Sequence, residues 1–368
     1  MSHQVGCLGG GQLGQMLALA GYPLGIRVCC FDSSTDVPAG IVGAAIAGDL
    51  QDGEKLRRWA ARTDVVTYEW ENFPAELVAD LAEVRPVHPN PRSLTAAQDR
   101  WQEKRLFDEL EIPIAPFRLV RSRRDLEVAF EELGDLVAKT RTGGYDGKGQ
   151  LVVRSPEDMD GIDALLAHGD VVAEQWVPFD CEVSIIGVRA TNGEIAVYPL
   201  TRNEHRKGIL HRSTAPAGLP AAVGTKAEAA MRALLRQLDY VGVLALELFV
   251  VGERLLANEM APRVHNSGHW TIEGAETSQF ENHLRAICGL PLGSTALRGA
   301  AAMVNLIGSM PPLARVLDID GAALHDYGKT EARPGRKLGH VTITATDEAS
   351  LAPRLDALER IVTNVLPD

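Results

Sequence analysis

The sequence predicts an α/β protein in three parts: a Rossmann-like parallel α/β domain over 1–92, a larger α+β domain over 93–295, and a small α/β C-terminal domain over 296–368. Three observations lead there. Strand and helix signals alternate through the first part, the pattern of parallel strands joined by right-handed crossovers. Pro86, Pro89 and Pro91 then punctuate the chain and mark a boundary near residue 92. Beyond residue 112 the texture changes to strand pairs joined by short turns, which suits antiparallel sheets.

The apolar run 5–8 predicts a first strand that enters a glycine-rich turn at 9–14, and 12–20 has helical character. Residues 27–31 read as a second strand ending at Asp32, 53–62 as a helix, 64–68 as a strand, 75–84 as a helix and 86–88 as a short strand. A long amphipathic helix is predicted over 95–110, where Pro113 and Pro116 forbid continuation. Strands follow at 137–140, 151–154, 171–175, 182–188, 195–200, 244–251 and 255–260, with helices at 124–133, 159–167 and 226–238. The last part carries strands at 300–307 and 340–345 and a helix at 351–362.

With 368 residues, 45% of them apolar and 23% charged, the chain can bury cores for two or three domains. No apolar run approaches the roughly 20 residues that span a bilayer. The start, MSHQVGCLGGG, lacks the basic-then-apolar pattern of a secretory leader. A net charge of −12 disfavours a role coating nucleic acid. Cys7, Cys29, Cys30, Cys181 and Cys288 match no zinc spacing and read as reduced thiols of a cytoplasmic protein.

Two glycine loops stand out. GGGQLG at 9–14 fits G-x-G-x-x-G between a strand and a helix, and Asp32 closes the next strand as an acidic ribose partner would. That is the dinucleotide reading, and it leads to a nicotinamide-dependent dehydrogenase; the alternative is a tight turn that needs glycine for its backbone alone. The second loop, GYDGKGQ at 144–150, lies between two strands and follows Lys139 at the end of an apolar one. Its amides can close on a polyphosphate and Lys148 can neutralise it, although no Walker A pattern is present. A lysine ending an apolar strand needs an anionic partner.

Residues 244–251 and 255–260 form a hairpin around Gly252 in which Ala245, Glu247, Phe249 and Val251 share a face. A three-residue loop, 252–254, pairs Glu247 with Glu259; a two-residue loop would oppose Glu247 to Asn258 and turn Glu259 to the other face. The first register is the prediction. Opposed carboxylates repel unless a cation bridges them, and hard oxygen ligands beside a phosphate flap imply Mg²⁺, with Mn²⁺ as a substitute. Arg263 follows, placed to neutralise a transferred phosphate or a carboxylate. Asn266 could add a metal oxygen, and His265 reads as structural. Within 329–340, Lys329, Arg333, Arg336 and Lys337 oppose only Glu331, a phosphate-sized basic patch or a solvated loop.

Together these elements resemble the ATP-grasp superfamily and, within it, the N5-carboxyaminoimidazole ribonucleotide synthases, ATP-dependent carboxylating ligases of purine biosynthesis. The likeness runs through GGGQLG at 9–14, TYEWENFP at 67–74, QDRWQEK at 98–104, GGYDGKGQ at 143–150, EQWVPFDCEVSII at 174–186, ELFV at 247–250, NEMAPRVHNSGHWT at 258–271 and YGKTEARPGRKLGH at 327–340. It implies an ATP-grasp fold between the Rossmann-like and C-terminal domains, with a mobile lid over about 112–178. ATP is the implied co-substrate. Arg100 and Lys139 would contact its phosphates under a flap of Gly144, Tyr145, Asp146, Gly147, Lys148, Gly149 and Gln150. Glu174, Gln175, Trp176 and Val177 would form the adenine hinge, Glu182 would take the ribose hydroxyls and His205 would line the site. Glu247 and Glu259 would hold Mg²⁺, with Asn258 beside them.

For aminoimidazole ribonucleotide the resemblance points to Gln12, Leu13, Glu69, Tyr145, Asp146, Lys148 and Arg263, and to Lys329 and Arg336 for its 5′-phosphate. Asp146, Lys148, Arg263 and Lys329 carry the catalytic expectation. Lys148 stands where the family often has arginine, which keeps the charge and loses the bidentate fork. The implied reaction is carboxylation of the ribonucleotide amine by bicarbonate through carboxyphosphate, with release of ADP and phosphate. A cytoplasmic homodimer without nucleic-acid or membrane partners is expected. A formate-dependent glycinamide ribonucleotide transformylase shares the scaffold and stays open, as does a non-catalytic ATP-sensing protein.

Overall fold

The apolar runs that open the chain pair as a four-stranded parallel sheet. In a computed structural model that describes residues 3–144 and 149–363, β1 (Gln4–Leu8), β2 (Arg27–Asp32), β3 (Ala44–Ala47) and β4 (Val65–Tyr68) lie in the order β3-β2-β1-β4. Helices α1 (Gln12–Gly21), α2 (Gly53–Ala60) and α3 (Ala75–Ala82) follow β1, β3 and β4. The strand expected at 86–88 reduces to one parallel bridge from Val87 to Val66.

The long helix expected at 95–110 is two helices, α4 (Pro91–Gln98) and α5 (Arg100–Glu109). Asp99 breaks them: its backbone is extended, and its carboxylate accepts from the Trp101 and Gln102 amides as the cap of α5. Arg141 forks onto the same carboxylate through Nε at 2.8 Å and Nη2 at 2.7 Å, tying the start of α5 to the next unit.

That unit is an antiparallel sheet of β5 (Phe117–Val120), β6 (Leu136–Thr140), β7 (Gln150–Val153) and β8 (Val171–Gln175), ordered β5-β8-β6-β7. Leu126 and Ala129 of α6 (Arg123–Leu133) and Ile162 of α7 (Ile162–Leu166) pack on its inner face against Val120, Ala138 and Val171.

The remaining strands form a nine-stranded sheet: β9 (Cys181–Arg189), β10 (Ile195–Val197), β11 (Thr201–Arg206), β12 (Ile209–Ala215), β13 (Gly242–Val251), β14 (Arg254–Ala261), β15 (Ala300–Ile307), β16 (Ala322–Asp326) and β17 (Lys337–Ala345). Its order is β14-β13-β9-β11-β12-β15-β17-β16, with β10 paired to β9. β15 pairs antiparallel with β12, so the C-terminal strands extend the central sheet and do not build their own. Helices α8 (Ala221–Gln237), α9 (Thr271–Gly274), α10 (Gln279–Ile287), α11 (Leu313–Leu317) and α12 (Glu348–Thr363) cover it.

Period two in β13 sorts its residues between two cores. Leu244, Leu246, Leu248 and Val250 meet Met231, Leu234 and Leu235 of α8 on one face. Val243 and Ala245 meet Phe280 and Leu284 of α10 on the other. Glu247 and Phe249 continue this second face where the cover of α10 ends.

Candidate active site

β13 and β14 are joined by Gly252 and Glu253 alone, and Val251 pairs with Arg254. Pairing runs regularly to Leu248 and Ala257 and then shifts by one, so Asn258 is the extra residue of a β-bulge and Glu259 pairs with Glu247. The expected opposition of the two carboxylates therefore holds, through a shorter loop plus a bulge and not through a three-residue loop. Burial and the neighbouring Glu259 push Glu247 up to about 7. Burial works to raise Glu259 as well, but Arg100 and Lys139 outweigh it and lower its pKa. Arg100 Nη1 sits 3.1 Å from Glu259 Oε2, and His265 Nε2 sits 3.2 Å from Glu247 Oε1. Asn266 exchanges hydrogen bonds with Asn305, its Oδ1 accepting from Asn305 Nδ2 at 2.7 Å.

The pair fits a divalent cation by its chemistry: two hard oxygen donors of one sign, held opposite on one sheet face, one of them driven toward the neutral form by the other. Among the described residues no group of three or more His, Cys, Asp or Glu side chains could hold a metal by itself. Such a site suits a cation that takes further oxygens from a bound phosphate.

A cleft between the β5–β8 sheet and the central sheet is lined by Lys139, Glu174, Gln175, Trp176, Val177, Phe179, Phe249 and Ala257, among others. Phe179 and Phe249 stack at 4.7 Å and close its apolar wall. Arg154 lies over the Trp176 ring at 4.9 Å. The Glu174 carboxylate, assigned to the adenine hinge, is 4% exposed and engaged elsewhere: Lys104 Nζ at 3.0 Å and Lys139 Nζ at 3.2 Å share its Oε2. Burial would raise the Glu174 pKa, yet the two lysines hold it at about 2. Gln175 donates to Leu133 O, so its side chain caps α6. Glu182 Oε2 and His205 Nδ1 pair at 2.7 Å beside Glu247. Gly149 and Gln150 enter β7, while Tyr145, Asp146, Gly147 and Lys148 lie outside the described residues.

A second cleft, about 450 Å³, is lined by Gly9, Gln12, Leu13, Asp32, Ser33, Glu69 and Trp70, among others. The first glycine loop is already occupied by the protein's own anions. Glu69 accepts from the Gly11 and Gly14 amides at the start of α1, and Asp32 accepts from Gly10 N at 2.8 Å. A side chain at Gly9 or Gly11 would collide with Glu69, since a Cβ there would lie 2.6 Å from it. A dinucleotide pyrophosphate would need those same amides, so the dehydrogenase reading fails on the geometry.

The basic loop comes near this cleft at Lys329, on which Glu69 acts. Lys329 Nζ donates to Lys337 O at 2.9 Å and lies over the Tyr327 ring at 5.5 Å. Burial, then Arg336, lowers Lys329 to about 8, and Glu69 is near enough to oppose that shift. Arg336 donates to Glu331 O at 2.9 Å. Arg263, expected to meet substrate, is clasped by both oxygens of Glu71, with Nη2 at 2.8 Å from Oε1. It lies between the two clefts, where Glu69 and Glu247 also act on it.

Sequence reasoning missed Glu103, Lys104, Glu71 and the Phe179–Phe249 stack. The first two carried a usable signal: Arg100, Glu103 and Lys104 recur at i, i+3 and i+4, one face of α5, which also buries Phe107.

Family models match the chain in three segments: ribonucleotide synthetase preATP-grasp domain over 1–98, ATP-grasp domain over 105–280, and phosphoribosylaminoimidazole carboxylase C-terminal domain over 301–354. N5-carboxyaminoimidazole ribonucleotide synthase of Pseudomonas aeruginosa is 50% identical over 98% of this chain and 99% of its own length. The Escherichia coli protein of that name is 42% identical over 96% and 94%. The crystal structure of N5-carboxyaminoimidazole ribonucleotide synthetase from Thermus thermophilus superposes with a TM-score of 0.93 at 51% identity, covering 99% of this chain and 100% of that one. An Aspergillus clavatus synthase in complex with ADP and 5-aminoimidazole ribonucleotide superposes at 0.92 with 31% identity, covering 99% of each. With these matches spanning almost every residue, the chain belongs to the N5-carboxyaminoimidazole ribonucleotide synthase family of ATP-grasp ligases.

Proposed function

We propose that the chain carboxylates the exocyclic amine of 5-aminoimidazole ribonucleotide with bicarbonate, at the expense of ATP, in the synthesis of purine nucleotides. The carrying observation is the pairing of Glu247 with Glu259 on the two strands whose Phe249 and Ala257 line an apolar cleft, together with a second cleft lined by Glu69, a residue that acts on Lys329 of the basic loop. The first cleft suits ATP, and the second suits a phosphorylated acceptor.

In this reading Glu247 and Glu259 would hold Mg²⁺, which neutralises charge on the ATP phosphates. Arg100 and Lys139, both on the Glu259 side, bind the same phosphates. A bicarbonate oxygen bonds to the γ-phosphorus, the bond to the ADP oxygen breaks, and carboxyphosphate forms. The ribonucleotide amine then bonds to the carboxyl carbon, the carbon–oxygen bond to phosphate breaks, and the amine loses a proton. Carbon dioxide released from carboxyphosphate serves the second step equally. Asp146 is assigned to the amine, and Lys148 with Tyr145 to the substrates, from their place in the flap sequence. Lys329 and Arg336 anchor the 5′-phosphate away from the reacting amine, which positions it. Arg263, held by Glu71, presents a fixed positive field between the clefts.

A boundary near residue 92, a lid over about 112–178 and a third part from 296 onward belong to the same reading; the separate β5–β8 sheet supports the lid, and an apolar cluster shared by β15, β17 and α12 supports the third part. So do a homodimer and a cytoplasmic location, which rest on likeness to the family. Among the described residues no helix is long and apolar enough to cross a membrane.

The test supplies purified protein with Mg·ATP and each acceptor. ADP release that requires both aminoimidazole ribonucleotide and bicarbonate supports the assignment. Release driven by glycinamide ribonucleotide plus formate, with none from aminoimidazole ribonucleotide, overturns it.

A further inference from the structure

A β-bulge leaves backbone groups without ladder partners, and the one at Asn258 decides which way Glu259 points. Without it, the two-residue loop would oppose Glu247 to Asn258 and turn Glu259 into the apolar face of Leu246 and Leu248. Groups on the outer edge of β14 at the bulge are taken up from outside the sheet: the Ala257 amide donates to the Pro113 carbonyl at 2.7 Å, and one turn of α5 takes others. Lys104 Nζ donates to the Asn258 carbonyl at 2.8 Å and to the Ala257 carbonyl at 3.4 Å. The Met260 amide donates to Glu103 Oε1 at 2.7 Å. Asn258, its neighbour Ala257 and Met260 just past Glu259 are thus each bonded to α5.

Packing does not explain this choice of residues. Glu103 is 1% and Lys104 0% exposed, and burying a carboxyl group and an ammonium costs more than burying two apolar side chains. We propose that Glu103 and Lys104 are positioning residues that clamp the Asn258 bulge, so that Glu247 and Glu259 stay opposed at the spacing a divalent cation requires. Neither touches substrate, and both act through the β14 backbone. The inference rests on the reading of Glu247 and Glu259 as the metal carboxylates.

The test titrates Mn²⁺ by electron paramagnetic resonance into the full chain with a non-hydrolysable ATP analogue bound. Glu103→Leu and Glu103→Thr each remove the acceptor for Met260 N–H. Both should weaken Mn²⁺ binding about 10- to 100-fold, the range for losing a group that orients a metal ligand. Affinity for the nucleotide alone should not change. Glu103→Gln keeps an oxygen in place and should bind Mn²⁺ like the wild type; Lys104→Met should weaken Mn²⁺ binding as Glu103→Leu does, and because Lys104 also pairs with Glu174 beside Lys139 it is read for Mn²⁺ alone. Where Glu103→Leu does not fold, judged by circular dichroism, Glu103→Thr decides. Wild-type Mn²⁺ affinity in Glu103→Thr, or a loss in Glu103→Gln as large as in Glu103→Thr, overturns the clamp. Glu259→Gln is the control: if it too binds Mn²⁺ normally, the metal reading itself falls, and the clamp has nothing to position.

Discussion

Replacing Lys104 by methionine keeps most of the side-chain length and removes the ammonium. Glu174, 4% exposed, then retains only Lys139, 3.2 Å away. Two routes give the cost. Burial favours the protonated form of Glu174, yet its lysines hold it at about 2 against 4.5 for a free carboxyl. At about 1.4 kcal/mol per pKa unit, that gap is worth ~3 kcal/mol, shared between two lysines. Removing one partner of a buried ion pair costs about 3–5 kcal/mol, because the other charge is left behind. The expected loss is ~3 kcal/mol, at the low end because Lys139 remains. Urea unfolding followed by circular dichroism measures it. The depressed pKa means that the pairing contributes fully above pH 4.5 and is lost as pH falls toward about 2, so the gap between wild type and variant should narrow over that window. Adding Glu174→Leu to Lys104→Met removes the stranded carboxylate and should recover most of the stability. A loss below about 1 kcal/mol for Lys104→Met, or a double variant as unstable as the single one, would refute the reasoning.

Other substitutions test other parts of the molecule. Glu259→Ala should abolish Mg-dependent ADP release; wild-type turnover would remove Glu259 from the metal pair. Lys329→Met should raise KM for the ribonucleotide and leave KM for ATP unchanged. In the wild type, ribonucleotide KM should rise as pH passes through about 8, because the lowered Lys329 is a cation below that value and neutral above it; a flat profile to pH 9 would contradict this. Asp99→Ala removes both the α5 cap and the anchor of Arg141, and should lower stability by roughly 1–2 kcal/mol, read as a drop in the urea midpoint.

Much of the architecture was legible because apolar periodicity and glycine spacing are local signals. The first parallel strands, the Lys139 strand and the Glu247 hairpin all reached the surface of the sequence in that way. The rest hid for physical reasons. β11 and β12 escaped because their buried face is polar: Ser213 donates to Asn203 at 2.8 Å and His211 bonds Glu359 at 2.9 Å, so no apolar alternation appears. The α4–α5 break escaped because Asp99 reads as helical until Arg141, 42 residues on, claims it. The opposition of Glu247 and Glu259 was reached through the wrong loop length, since a bulge leaves no mark in hydrophobic pattern. Glu71 and Arg263, 192 residues apart, could not be paired from the chain alone.

The continuity of the nine-stranded sheet has a geometric consequence. Glu247 on β13 and Lys337 at the head of β17 are separated by five strand intervals, about 24 Å were the sheet flat. Yet Lys337 lies close enough to lower the pKa of Glu247. The ribbon must therefore curl like a cupped hand, bringing its distant edge back toward the palm. The β12–β15 pairing in the middle of that ribbon thus ties the strand that carries Glu247 to the one that follows the Lys329 loop, so one sheet frames both clefts.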